Sequence, residues 1–155
     1  RFGKYIFSRP ETQAMWSRAL PASEWNNVHA VFQPSAEESG GHWDFKKEVD
    51  EKWVMSYPLP HLNDLKFIAM TTPGRHLGVF PEVASHWDFM ANSIRKADRR
   101  ANILNLFGYT GLASLAAAAA GAQVTHVDAS KKSVSWAREN QELSGLNDKP
   151  IRWIV

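Results

Sequence analysis

The stretch Asn-Leu-Phe-Gly-Tyr-Thr-Gly, residues 105–111, decides the fold. It joins an apolar segment at 102–107, typical of a buried strand, to a small-residue segment at 110–120, typical of a helix. One glycine at such a junction permits a tight turn, and a second lets the backbone approach a ligand closely. The amides that begin the helix then point towards that ligand. The spacing Gly-x-x-Gly lacks the glycines of the Gly-x-Gly-x-x-Gly pyrophosphate fingerprint, which disfavours a nicotinamide oxidoreductase.

Helix and strand patterns alternate on both sides of this stretch. Helices are predicted at 82–96 and 130–143, and strands at 123–127 and from 151 to the last residue. Ser130 suits the N-cap of the second helix. This order predicts an α/β, Rossmann-like domain with a parallel sheet and right-handed crossovers.

The N-terminal half has a different composition, rich in aromatic residues and proline. Short alternating runs predict strands, and one polar run that ends before Pro21 predicts a helix. The strands are expected at 5–7, 28–32, 42–46, 52–57 and 65–70, and the helix at 12–20. We therefore expect a small antiparallel β-rich subdomain at 1–72, followed by the Rossmann-like domain at 73–155.

Asp128 ends the second strand of the predicted Rossmann-like domain. A carboxylate at this point of a βαβ unit can accept hydrogen bonds from both ribose hydroxyls of an adenosine. Alternatively, it caps the helix that follows. The glycine stretch that precedes it favours the ribose interpretation, because both features belong to one nucleoside site.

Three segments together resemble a known family. NLFGYTG at 105–111, VDASK at 127–131 and WAREN at 136–140 look like the cofactor half of class I S-adenosylmethionine-dependent methyltransferases. The resemblance is closest to the bacterial branch that methylates 23S ribosomal RNA. LGVFPE at 77–82 resembles the segment that precedes the methyltransferase domain in that group. The fold implied is a Rossmann-like methyltransferase fold, present here through its first three strands.

The resemblance also implies a set of contacts to S-adenosylmethionine. The residues around the glycine stretch would line the methionine part of the ligand, and those after the second strand would hold the ribose and adenine. Two residues of the preceding segment would close the site, although Glu82 also suits the first turn of a helix. The set is Phe80, Glu82, Asn105, Phe107, Gly108, Tyr109, Thr110, Gly111, Asp128, Ala129 and Ser130. Val83 stands where the group often carries a polar residue, so no side-chain contact is expected from it.

On this resemblance we expect the chain to stop before the enzyme is complete. The loop that faces the target base in the family does not occur here, and no catalytic residue or metal site is predicted. Methyl transfer needs the acceptor held in line with the methyl group. We therefore expect this chain alone to be inactive. The uncovered edge of the first strand favours association between copies.

Composition excludes some functions and leaves others open. The 155 residues include no cysteine, which excludes disulfides and thiolate catalysis. No apolar run is long enough to span a bilayer, and a cytoplasmic protein is expected. The net charge of +2 neither requires nor excludes RNA. RNA, expected to be ribosomal, is the substrate that the resemblance implies, and the cationic cluster at 95–100 is either a phosphate contact or a solvated helix end. An alternative function is an RNA-binding module, with Trp43, Phe45, Trp53 and Tyr57 either stacking on bases or forming a core.

Overall fold

The computed structural model describes residues 1–11, 13–35 and 40–155, which fall into two compact units. The first unit contains Arg1–Trp53 and Ala69–Gly78, and the second contains Val54–Ile68 and Val79–Val155. Compactness thus groups residues 54–68 with the second unit. The domain boundary between residues 72 and 73 remains a prediction from the sequence.

The first unit contains a mixed three-stranded sheet. β1 (Phe7–Ser8) pairs parallel to β2 (Ala30–Pro34), which pairs antiparallel to β3 (Gly41–Phe45). The antiparallel arrangement expected from the sequence therefore describes β2 and β3 but is wrong for β1. The reason is the long connection between β1 and β2, which includes α1 (Ala22–Asn26) and returns the chain before β2 begins.

The helix of this unit lies beyond the predicted position. Thr12 is outside the described residues, and residues 13–20 form no helix. α1 instead begins directly after Pro21. Proline fits the start of a helix and keeps the residue before it extended, so Pro21 begins a helix here instead of ending one.

The aromatic residues of the first unit form its core. Trp43 and Trp53 are 9% and 7% exposed, and Phe7 packs against both, with ring centroids 5.3 and 5.6 Å away. The Trp43 Nε1–H donates to the Thr72 carbonyl at 2.8 Å. Tryptophans held in this way present no open face to a base. The core interpretation is therefore right for Trp43 and Trp53, although Phe45 is half exposed.

Two sheets involve the remaining strands. β4 (Lys52–Tyr57) and β5 (Leu65–Met70) pair with each other. In the second unit, β6 (Asn102–Leu106) pairs parallel to β7 (Gln123–Val127), and β7 pairs parallel to β8 (Ile151–Ile154). The predicted parallel sheet is confirmed, with the strands in sequence order.

Helices connect these parallel strands as expected. A 3₁₀ turn at Pro81–Val83 leads into α2 (Ala84–Arg95), which precedes β6. α3 (Leu112–Ala119) joins β6 to β7, and α4 (Lys131–Leu143) joins β7 to β8. The predicted N-cap of α4 is confirmed, because Ser130 Oγ accepts from the Ser133 amide at 3.1 Å.

The core of the second unit is built on the small residues of α3. Ala117, Ala118 and Val124 are 0–1% exposed, and Met90 and Ile94 of α2 pack against their cluster. Alanine side chains let α2 and β7 approach α3 closely, which positions the segment before α2 near the start of α3. Within the described residues, no helix is long and apolar enough to cross a membrane.

Candidate functional site

Residues 107–111 connect β6 to α3 in a strained backbone conformation. Phe107 and Tyr109 have φ values of 58° and 51°, and Gly111 has a φ of 87°. The left-handed region costs a non-glycine residue about 1–2 kcal/mol. Such strain persists only where the surroundings hold it, and it concentrates at ligand sites. The strained backbone therefore favours a ligand site at the predicted cofactor loop.

The two glycines of the loop serve different purposes. A Cβ on Gly108 would overlap the imidazole of His126, which lies on β7. A Cβ on Gly111 would lie 2.8 Å from the Ala137 Cβ of α4, and the positive φ of Gly111 further disfavours a side chain. Gly108 thus lets the loop lie against β7, and Gly111 lets α3 begin close to α4.

Asp128 links the two strand–helix junctions of this sheet. Its Oδ2 accepts from the Tyr109 amide at 2.8 Å, and its Oδ1 accepts from the Ser130 amide at 2.9 Å. The second bond is the local turn expected of an acid just before α4. The first holds the cofactor loop. A carboxylate offers about four acceptor positions, so these two amides leave acceptor capacity for a ligand.

A cleft of about 150 Å³ lies beside the loop. It is lined by part of the predicted cofactor set, namely Phe80, Asn105, Phe107, Gly108, Tyr109 and Thr110. The rings of Phe80 and Tyr109 meet edge to face at 5.4 Å, whereas the Phe107 ring is 91% exposed. Gly111 occupies the N-cap of α3, and no side chain caps this helix. The cleft therefore combines aromatic walls with helix-start amides that a ligand can use.

The other predicted residues lie outside the lining of this cleft. Gly111 and Asp128 shape the loop through the contacts described above. Ala129 and Ser130 are exposed after β7, and Glu82 is exposed in the 3₁₀ turn while its neighbour Val83 lines the cleft. Their contact with a cofactor remains a prediction. A larger cavity of about 740 Å³ in the first unit contains none of the predicted residues.

A buried polar chain supports the loop from beneath. Asn105 Nδ2 donates to Ser114 Oγ at 2.8 Å, and Ser114 Oγ lies 3.0 Å from His126 Nδ1. His126 is 0% exposed, and its Nε2 has no partner among the described residues. Burial lowers the pKa of His126, and the nearby Asp128 charge opposes that shift to a smaller extent. Burial under the loop therefore favours the neutral form of the imidazole.

The known proteins described next are methyltransferases, and this chain aligns with only part of each of them. No protein-family model matches it. A solved S-adenosylmethionine-dependent methyltransferase from Agrobacterium tumefaciens is 48% identical, with a TM-score of 0.85 over 97% of this chain and 46% of that protein. The ribosomal RNA large subunit methyltransferase K/L of Psychrobacter is 48% identical over 65 residues, 41% of this chain and 8% of that protein. A solved methyltransferase complexed with S-adenosylhomocysteine, at 21% identity and a TM-score of 0.63, shares the fold over 86% of this chain and 33% of that protein.

This chain resembles class I S-adenosylmethionine-dependent methyltransferases. The family resemblance read from 105–111, 127–131 and 136–140 is thereby confirmed, and so is the Rossmann-like methyltransferase fold. The matched segments cover less than half the length of the Agrobacterium methyltransferase and less than a tenth of the Psychrobacter one.

Sequence reasoning missed the residues that support the methyltransferase-like loop. Asn140 of α4 is 0% exposed, and its Nδ2 donates to the Thr110 carbonyl at 2.9 Å. Ser114 and His126 were likewise not predicted as part of the site. A signal did exist, because Asn140 falls on the largely apolar buried face of α4 with Trp136 and Ala137. A buried amide on such a face needs hydrogen-bond partners, but the sequence does not say which.

Proposed function

We propose that this chain forms the S-adenosylmethionine-binding part of a methyltransferase. The observation that carries the proposal is the strained loop at 107–111, which has aromatic rings and an uncapped helix start beside one cleft and an amide held by the Asp128 carboxylate. The Agrobacterium relative, named an S-adenosylmethionine-dependent methyltransferase, supports it. The domain division at residues 72 and 73 is part of the same proposal.

The residues present fit the chemical parts of this cofactor. Helix-start amides after Gly111 suit the methionine carboxylate. Aromatic faces at Phe80, Phe107 and Tyr109 suit a positively charged sulfonium. The unused acceptor positions of Asp128 suit ribose hydroxyls. Ala129 and Ser130 would lie beside the adenine, and Asn105, Gly108, Thr110 and Glu82 complete the proposed contact set.

When bound, S-adenosylmethionine supplies an activated methyl group. The described residues bind and orient that cofactor, and we find among them no group that would position an acceptor in line with the methyl group. We therefore propose that the purified chain binds the cofactor but transfers no methyl group. Methyl transfer to RNA by this chain alone would contradict that statement.

Calorimetric titration with S-adenosylhomocysteine tests the cofactor proposal. Asp128→Ala should lower the affinity by about tenfold or more, because it removes the ribose acceptor and one brace of the loop. Asp64→Ala is the matched control, since Asp64 is exposed, accepts from Ser56 Oγ at 2.9 Å and belongs to no proposed contact. Its affinity should stay within about twofold of the parent.

The outcomes of this titration are distinct. A folded parent chain that binds no S-adenosylhomocysteine would refute the proposal. Equal losses in the Asp128 and Asp64 variants would mean that general destabilisation, not ribose contact, governs the affinity. Titration with NADH tests the nicotinamide alternative, for which we expect no binding.

We further propose that RNA, and in particular ribosomal RNA, is the acceptor of the intact protein. The name of the Psychrobacter relative supports this, as does a cationic patch at and beyond the end of α2. The patch consists of Arg95, Lys96, Arg99 and Arg100, all exposed and without an ion pair within the described parts of the chain. Cations on one surface that form no ion pair attract a phosphate backbone.

Fluorescence anisotropy with a labelled single-stranded oligoribonucleotide tests the patch. The double variant Arg99→Glu/Arg100→Glu should weaken binding and reduce the salt slope by about 0.7 for each phosphate that the variant no longer neutralises. Lys131→Glu/Lys132→Glu, at the start of α4, changes the charge equally and should have the smaller effect. Equal effects of the two double variants would assign the affinity to net charge and not to this patch.

The proposal also includes association between copies of the chain and the location of the intact protein. β6 pairs with β7 along one edge, and its Leu104 and Leu106 are 62% and 55% exposed. We propose that this chain self-associates through β6, and that the intact protein acts in the cytoplasm. In sedimentation velocity, Leu104→Lys should shift the distribution towards monomer, and an unchanged distribution would argue against association through this strand.

A further inference from the structure

Asn140 of α4 makes two side-chain hydrogen bonds, one to β5 and one to the loop at 107–111. Its Oδ1 accepts from the Ile68 amide at 2.8 Å, and its Nδ2 donates to the Thr110 carbonyl at 2.9 Å. The orientation of the side-chain amide is forced, because a backbone N–H can only donate and a carbonyl can only accept. A flipped amide would face the Ile68 amide with a donor and the Thr110 carbonyl with an acceptor.

Asn140 belongs to a stripe of polar groups that holds the edge of β5. Trp136 Nε1 donates to the Ile68 carbonyl at 3.2 Å. One turn beyond Asn140, Ser144 Oγ accepts from the Lys66 amide at 3.0 Å and donates to the Lys66 carbonyl at 2.8 Å. These side chains supply to β5 the bonds that a neighbouring strand would otherwise make. Within the stripe, Asn140 is the member that also bonds to the loop at 107–111.

The loop needs such a tie because its backbone is strained on both sides of Thr110. Tyr109 and Gly111 have φ values of 51° and 87°, a conformation that only the surroundings maintain. The Gly108 amide is held by the Val127 carbonyl at 2.9 Å, and the Tyr109 amide by Asp128. Thr110 is 2% exposed, and its carbonyl is held by Asn140.

We propose that Asn140 is a positioning residue, which orients the cofactor loop by tying the Thr110 carbonyl to the edge of β5. Holding this carbonyl fixes the peptide group between Thr110 and Gly111, and therefore the direction of the amides that begin α3. Asn140 touches no proposed ligand atom itself. The proposal rests on the cofactor function of the loop, and it adds a residue that acts on the loop from behind.

Asn140→Asp tests the tie with little change of shape. The carboxylate still accepts from the Ile68 amide but faces the Thr110 carbonyl with a second acceptor. Ser144→Ala is the matched control, because it removes two bonds to β5 and none to the loop. By calorimetry, Asn140→Asp should lower affinity for S-adenosylhomocysteine by about tenfold, the factor that one hydrogen bond represents, whereas Ser144→Ala should change it by less than about twofold.

Hydrogen exchange of the ligand-free chain provides a second readout. The Tyr109 and Gly111 amides should exchange faster in Asn140→Asp and at the parent rate in Ser144→Ala. Should Asn140→Asp fail to fold, Asn140→Ser replaces it, because the shorter serine side chain removes the hydrogen bond to the Thr110 carbonyl without adding charge. Equal affinity and exchange in the Asn140 and Ser144 variants would overturn the proposal. A parent chain that binds no S-adenosylhomocysteine would instead overturn the cofactor function, and the exchange rates would still test the tie.

Discussion

The chain passes from a parallel strand into a helix twice in its second unit, and the backbone groups of the two junctions find their hydrogen-bond partners differently. After β7, Asp128 and Ser130 satisfy the backbone locally, each accepting from an amide two or three residues ahead. After β6, Phe107 and Tyr109 adopt left-handed conformations and no side chain caps α3. The helix start after β7 is capped by side chains of its own junction. The loop after β6 is instead held by residues of β7 and α4, and the helix start that follows it is uncapped. We call these the capped junction and the open junction.

The difference explains why only one junction is proposed to bind the methionine part of a cofactor. The Ser130 cap already uses one amide of the α4 start, that of Ser133, whereas no side chain caps the amides that begin α3. The supports of the open junction come from β7, α4 and Asp128 of the capped junction. The capped junction thereby stabilises its neighbour as well as itself.

The substitution expected to disturb the open junction most is Gly108→Ala. Its Cβ would overlap the buried His126 ring, and overpacking of this kind costs about 1–3 kcal/mol. Urea denaturation should show this loss, and calorimetry should show that S-adenosylhomocysteine binding is lost with it. Gly74→Ala is the control, because neither Gly108 nor Gly74 has a positive φ, and a Cβ on Gly74 would meet only an ordinary contact, 3.6 Å from Thr72 Oγ1. A control variant that lost affinity to the same extent would break the comparison.

Acidification should weaken the support beneath the open junction. Burial lowers the pKa of His126 from its ordinary value of 6.5, so the unfolded chain takes up a proton near pH 6.5 while the folded chain resists. The contribution of His126 to the free energy of unfolding is therefore complete above that pH and is lost as the pH falls below it. The full loss is about 1.4 kcal/mol for each unit by which the folded-state pKa lies below the unfolded-state pKa. Urea denaturation at pH 8 and pH 5.5 should show a smaller difference for His126→Gln than for the parent. Equal differences would assign the pH dependence to other groups.

The smallest expected effect is a gain in stability from Phe107→Asn. Asparagine tolerates the left-handed conformation better than phenylalanine does, and the ring is 91% exposed, so the free energy of unfolding should rise by about 0.5 kcal/mol. Affinity for S-adenosylhomocysteine should fall, because the cleft loses an aromatic wall. The same change at Phe89, which is 75% exposed on helix α2, should give no gain. A thermal melt without a gain at Phe107 would mean that its backbone stores little strain.

The junctions themselves were predictable because their determinants are local. The glycines of 105–111 and the cap at Ser130 act on residues within a few positions, and strand and helix periodicity predicted β6, α3, β7 and α4. The prediction was wrong for β1, whose pairing a distant strand decides, and for the helix near Pro21, where proline begins a helix instead of ending one. β1 pairs parallel to β2, and α1 begins after Pro21 instead of ending before it. The site residues that line the cleft were named from the resemblance, and their contact with a cofactor remains a prediction.

The sequence alone determined the alternation of strand and helix, the position of the glycine loop and the family resemblance, since each depends on residue types at short spacing. The tertiary structure decided what holds that loop. Gly108 is required because His126 lies beneath it, and the Thr110 carbonyl is held by an asparagine that also bonds to Ile68, 72 residues earlier in the chain. Contacts between such distant positions leave no periodic trace in a sequence, because they form only once separate elements have packed together.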